Sequence, residues 1–154
     1  GFPISARIGL LSVIFILIAG IPLGIISALK QNRAADYIVM FMATLGVTIP
    51  VFVIATVFLY LFSLVLDWVP SFGLNSPGSY IGPVIALSGY SLSFVARLTR
   101  SSMLEVLSQD YIRTARANGI PEWKVLYKHA LKNALIPVIT YVGPMIAAVL
   151  TGYL

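Results

Sequence analysis

The sequence predicts an all-α, polytopic transmembrane helix bundle. Three observations carry that expectation. Only 10% of the 154 residues are charged, against about 25% in an ordinary soluble domain. Hydrophobic residues make up 59% and the mean hydropathy is +0.97, more apolar surface than a soluble fold can hide. The charges that do occur are gathered between four long uncharged runs, each on the scale of a membrane span. Cysteine is absent, which excludes disulfides, thiolate metal sites and thiol catalysis. One histidine, His129, gives no basis for a metal site, so neither metal nor cofactor is expected.

Taken in order, residues 8–29 are uncharged between Arg7 and Lys30. Those 22 residues make a helix of about 33 Å, enough for a hydrocarbon core of about 30 Å. Residues 37–66 are uncharged between Asp36 and Asp67, long for one span, which predicts tilt and an interfacial end. The stretch Trp68–Tyr80 is rich in turn formers and carries aromatics of the kind that sit at headgroup level. The third span is therefore expected at 81–97. The fourth begins near Asn133 and stays apolar to residue 154, so the spans are 8–29, 37–66, 81–97 and 133–154. The chain is expected to be a single transmembrane domain over 1–154, truncated at both ends.

Charge sets the expected orientation. Segment 30–36 holds Lys30 and Arg33, whereas 67–80 holds no Lys or Arg. The island 97–132 holds seven Lys/Arg against three acids. The positive-inside rule then places 30–36 and the loop 98–132 in the cytoplasm, and 1–7 and 67–80 outside. The net charge of +5 is accounted for by this asymmetry, and no nucleic-acid partner is expected.

Small residues recur at helical spacing: Gly20, Gly24 and Ala28; Ala86, Gly89 and Ser93; Gly143, Ala147 and Thr151. Such faces let helices approach closely, within the chain or in a partner subunit. Pro22, Pro50, Pro83, Pro137 and Pro144 interrupt the spans, and each removes a backbone donor. Ordinary helix curvature is the simpler expectation for any one of them. Apart from Arg97 at the boundary of the third, no ionisable residue lies inside the four runs, so candidates for a solute pathway are hydroxyls: Thr44, Thr48, Ser88, Ser91 and Ser93.

Within the island, Ser108 or Asp110 can cap a helix start. Tyr111–Asn118 is helix-compatible, Gly119 fits a left-handed stop, and Pro121 suits the first turn of a following helix. Thr114, Ala115, Ala117, Asn118 and Gly119 are small, so a partner surface can come close. Tyr111 and Ile112 supply apolar anchors, and Arg113 and Arg116 supply charge. On residue chemistry alone this helix fits a protein socket and an anionic lipid surface equally well. Lys124, Lys128 and Lys132 fall four apart and suit snorkelling to headgroups.

The island resembles the cytoplasmic loop of permease subunits of bacterial ATP-driven, binding-protein-dependent importers, in their oligopeptide/dipeptide/nickel branch. The residues that carry the likeness are Asp110-Tyr-Ile-Arg-Thr-Ala-Arg-Ala-Asn-Gly119 and His129-Ala-Leu-Lys-Asn-Ala-Leu-Ile-Pro137. Gly20-Ile-Pro-Leu-Gly24 and the run through Pro50 are similar to the same branch. The general family pattern is E-A-A, three residues, G, nine residues, I-x-L-P. Anchored on Gly119, Ala115 and Leu131 also match, whereas Arg113, Thr114, His129 and Lys132 depart from it. Arg113 has the opposite sign to the family's glutamate.

The resemblance implies a type I importer permease fold and a multi-pass protein of the cell (inner, cytoplasmic) membrane, in contact with lipid. It implies that Tyr111, Ile112, Arg113, Thr114, Ala115, Arg116, Ala117, Asn118 and Gly119 form a coupling helix seated on a cytoplasmic ATPase. The implied partners are two ATP-binding subunits, a second permease subunit and an extracytoplasmic solute-binding protein. The implied activity is passage of peptides or related small solutes, with no reaction catalysed by the permease itself. Nickel chelates, glutathione and sugars are further solutes within that branch. An ion-coupled carrier or channel is the alternative, and it calls for an ionisable group inside a span. An intramembrane enzyme needs convergent acids, but Asp36, Asp67, Glu105, Asp110 and Glu122 sit in loops or at span ends.

Overall fold

The structure is a computed structural model that describes residues 2–67 and 81–151, with side chains over 6–67 and 81–148. Every regular element among them is helical. The expected aromatic turn Trp68–Tyr80 and the last residues, 152–154, lie outside the described residues.

The first apolar run forms α1 (Phe2–Leu29), and Pro22 sits inside it without ending it. A turn leads to α2 (Ala34–Thr48), α3 (Val51–Phe58) and a π-helical continuation, Leu59–Val65. The run 37–66 was expected as one tilted span, but its two halves meet at 108°. Pro50 is the cause. A residue before proline is pushed out of the helical region, and Ile49 is extended at φ −81°, ψ 127°. Pro50 has no amide hydrogen to continue α2, and instead its carbonyl accepts the first bonds of α3 from Val53 and Ile54.

After the undescribed stretch, α4 (Ile81–Leu107) is one unbroken helix. A boundary was expected at residue 97, but the helix continues ten residues further, through Arg97 and Arg100. Pro83 falls in its first turn, where amide hydrogens have no intrahelical acceptor. Next come α5 (Asp110–Ala117) and α6 (Glu122–Lys124), then a π-helical segment (Val125–Leu131) and α7 (Lys132–Ala134). The last is α8 (Ile136–Thr151). The loop expected over 98–132 is thus mostly helical. The rod Glu122–Ala134 meets α8 at 46°, at Leu135, where Pro137 cannot donate.

The bundle is organised on the α1–α4 seam. Gly20 and Gly24 let the helices touch: a methyl on Gly24 would stand 2.6 Å from the Ala96 carbonyl oxygen. The first small-residue face is therefore spent within the chain. Val13, Ile16, Val95, Val138 and Met145 form a core between α1, α4 and α8. A second core joins Ala28, Met103, Ile112, Ala115, Val125, Ala130 and Ala134. It places the 30–36 turn and α5–α7 at the same end of the bundle. By contrast, Gly143 on α8 meets nothing within 4 Å of where a methyl would stand.

Leu10, Ile18, Phe41, Phe52, Leu64 and Ile139 project outward, as side chains facing lipid do. Among the described residues, two helices, Ala6–Leu29 and Ile81–Leu107, are long and apolar enough to cross a membrane. The two bent pairs bring the number to four if each is one span.

Candidate functional site

The sequence-predicted coupling segment is a separate two-turn helix at one end of the bundle. Its start differs in detail from expectation. Gln109, not Ser108 or Asp110, occupies the N-cap position of α5. The Ser108 hydroxyl and the Gln109 side-chain amide both donate to the Glu105 carbonyl, at 2.7 and 3.3 Å, and so close α4 instead. Asp110 lies in the first turn of α5, where a negative charge is favourable.

The stop is as expected. Gly119 has φ 78°, the left-handed conformation glycine adopts without penalty. Gly119 N–H donates to Arg116 O at 3.1 Å, and Ile120 N–H to Ala115 O at 3.3 Å. That pair of bonds is the Schellman arrangement, and it reverses the chain into α6.

The segment divides into two faces. Ile112 and Ala115, three residues apart, are buried in the chain's own core. Ala115 was expected among the small residues that a partner approaches, but it packs inward. Tyr111, Arg113, Thr114, Arg116, Ala117, Asn118 and Gly119 are exposed. Arg116 is committed to Glu122 through two bonds, 2.8 and 3.3 Å, which tie α5 to α6. Asn133 donates to the Tyr111 hydroxyl at 3.1 Å and ties α5 to α7. Arg113 pairs with Asp110 at 3.6 Å, and its side chain is 81% exposed. Arg113, Thr114, Ala117, Asn118 and Gly119 thus form an outward patch of one cation and small groups.

The pathway candidates are not brought together. Thr44 and Thr48 lie exposed, one turn apart on α2. Ser93 is buried where Gly46 of α2 crosses α4, and its hydroxyl donates to Gly89 O at 2.8 Å. Ser88 and Ser91 are buried inside the bundle, and their hydroxyls have no hydrogen-bond partner among the described residues.

Two ionic features escaped the sequence reading. Asp36, expected in a loop, is 2% exposed in the first turn of α2. Arg100 Nε and Nη2 donate to its two carboxylate oxygens at 2.7 and 2.8 Å. The Ser27 hydroxyl donates to the same carboxylate, as does Asn32 N–H at 3.0 Å. Asn32 has φ 64°, a conformation asparagine tolerates better than most residues. One carboxylate thus joins α1, the turn, α2 and α4. The signal was an acid and a base at matching ends of two otherwise apolar antiparallel runs. One turn before Arg100 on α4, Arg97 Nη2 donates to the Thr44 hydroxyl. No group of acids or histidines among the described residues is placed to hold a metal ion.

An all-helical, multi-pass membrane protein with a helical knob on one end is the class these features define. The sequence pattern of the family described as binding-protein-dependent transport system inner membrane component matches residues 20–154. The chain belongs to that family, and it is an inner-membrane protein. It is 45% identical over 152 residues to the dipeptide transport system permease protein DppB of Bacillus subtilis (strain 168), covering 99% of this chain and 49% of that one. It is 44% identical over 153 residues to the oligopeptide transport system permease protein OppB of Salmonella typhimurium, with 98% and 50% covered. OppB of Escherichia coli (strain K12) gives the same identity and coverage. The chain therefore spans about half the length of the curated relatives it matches.

Proposed function

We propose that the chain is part of the transmembrane permease subunit of an ATP-driven importer for peptides or related small solutes. In this proposal it contributes to the solute pathway and couples to a cytoplasmic ATP-binding subunit through residues 110–119. The observation that carries it is the two-faced α5. Ile112 and Ala115 anchor the helix to its own chain, and the small outward residues are left uncovered. A face of Thr114, Ala117, Asn118 and Gly119 suits a close-fitting protein groove better than a lipid surface, which favours large apolar side chains and many cations. The names of the relatives support peptides as the solute class.

The same proposal includes two ATP-binding subunits, a second permease subunit and a solute-binding protein as partners. The permease moves solute by alternating access and itself catalyses no reaction. An ion-coupled carrier needs an ionisable group free to change its protonation, and Asp36 is held by four donors instead.

The test is Ala117→Glu in the full-length protein, because Ala117 is exposed and its replacement leaves the core intact. Loss of a co-purifying ATP-binding subunit, with the fold retained, is the expected result. Undiminished co-purification together with normal ATP-dependent uptake overturns the assignment.

A further inference from the structure

We propose that Arg97 is an anion-binding residue of the solute pathway, receiving a carboxylate of the transported solute in a groove between α2 and α4. The inference rests on the importer function proposed above. The groove has a volume of about 400 Å³ and is lined by Val47, Tyr90, Phe94, Arg97 and Leu98. That volume lies within the range of about 300–1,000 Å³ typical of small-molecule sites. Tyr90, Phe94 and Arg97 share one face of α4, by their spacing of four and three. Phe94 is held in place by Tyr141 of α8, with ring centroids 4.5 Å apart.

The direction of the Arg97 side chain sets it apart from an ordinary boundary arginine. Its neighbour Arg100 pairs with Asp36, at the end of the bundle that carries α5. Arg97 bonds instead to Thr44, eight residues further along α2, or about 12 Å deeper in the bundle. An arginine that rests on headgroups runs the other way, toward the near membrane surface. Here the guanidinium stays exposed but is drawn away from that surface, along the same N-terminal tilt that α-helical side chains follow.

The chemistry of the group then specifies the ligand. A guanidinium offers five N–H donors in a planar fork. Thr44 accepts from one nitrogen of Arg97, and among the described residues the side chain pairs with no carboxylate. An unpaired cation inside a span is costly and belongs on a water-filled path or against an anion. A carboxylate engages the fork bidentately, and the adjoining Tyr90 and Phe94 rings offer apolar walls to the rest of the solute. A short peptide with a free C-terminus has both features. An acidic side chain of a partner subunit could also reach this arginine, but it leaves a concave, aromatic-walled groove without a role.

The experiment uses the full-length protein reconstituted in liposomes with its companion permease, ATP-binding subunits and solute-binding protein. Uptake of trialanine is compared with uptake of its C-terminal amide, at saturating solute, for wild type and Arg97→Gln. The expected result is a selective fall of about tenfold or more for the free acid in the variant, with the amide little changed, because hydrogen bonds to charged groups are worth that much. An equal fall for both peptides, with or without loss of assembly, makes Arg97 a structural or subunit-contact residue and overturns the proposal. No fall for either places Arg97 off the pathway and also overturns it. Arg97→Lys keeps the charge but not the fork, and it should assemble and lose part of the acid preference. Retention of the full preference counts against the proposal. A wild-type assembly that takes up neither peptide with ATP fails earlier, on the importer function itself.

Discussion

Along α1, Gly20 and Gly24 press against α4 so closely that neither has room for a side chain. Along α5, Thr114, Ala117, Asn118 and Gly119 are also small residues, yet they lie open, and a methyl on Gly119 would meet nothing within 4 Å. The two regions share a composition and differ in what covers them. At the seam, the chain supplies its own second surface, and the small residues are used up in a helix–helix contact. At α5 the chain supplies only an inner anchor, Ile112 and Ala115. Small residues therefore mark where another surface comes close, and the fold decides whether that surface belongs to the same molecule.

That contrast can be broken most strongly at the end of the seam. Asp36→Ala leaves the half-buried Arg100 without its partner and should destabilise the full-length protein by up to about 3–5 kcal/mol. SDS titration in mixed micelles measures the loss, and a change below about 1 kcal/mol would show the pair to be dispensable. Gly24→Val forces side-chain atoms against Thr99 and the Ala96 carbonyl, at a cost of about 1–3 kcal/mol in the same titration. Wild-type behaviour would mean that α1 and α4 separate easily. On α5, Gly119→Ala has space but not the backbone conformation, so it should cost about 1 kcal/mol, seen as faster amide exchange at Ile120. The smallest stability effect belongs to Ala117→Glu, within about 0.5 kcal/mol, although it is expected to abolish ATPase co-purification. A large stability loss there would place Ala117 in a core and erase the contrast between the two regions.

Much of this arrangement is legible from residues alone. Uncharged runs of this length locate the spanning helices, because in lipid a single segment satisfies its own backbone polar groups only as a helix. Gly119 marks the stop of α5, because few other residues tolerate its φ. Other features depend on tertiary partners. Charges at 97 and 100 look like a span boundary, yet backbone hydrogen bonding is indifferent to them, and α4 continues because Asp36 and Thr44 receive those side chains. Pro50 is visible as a break, but not the 108° angle it opens, with both halves packed against α4. The inward placement of Ala115 could not be read from eight residues, too few to define a hydrophobic period. Ser88 and Ser91 look like pathway hydroxyls until their neighbours are known.

The continuity of α4 has a mechanical consequence. At 27 residues it is a stiff rod of about 40 Å, and the knob that follows it is joined at one end by only two residues. A rod of that length is a moment arm. A tilt of about 10° at its Leu107 end carries its Ile81 end through about 7 Å, comparable with the width of a dipeptide. Proline kinks would absorb such a movement along the way, and α4 has its only proline, Pro83, in its first turn, leaving the rest of the shaft rigid.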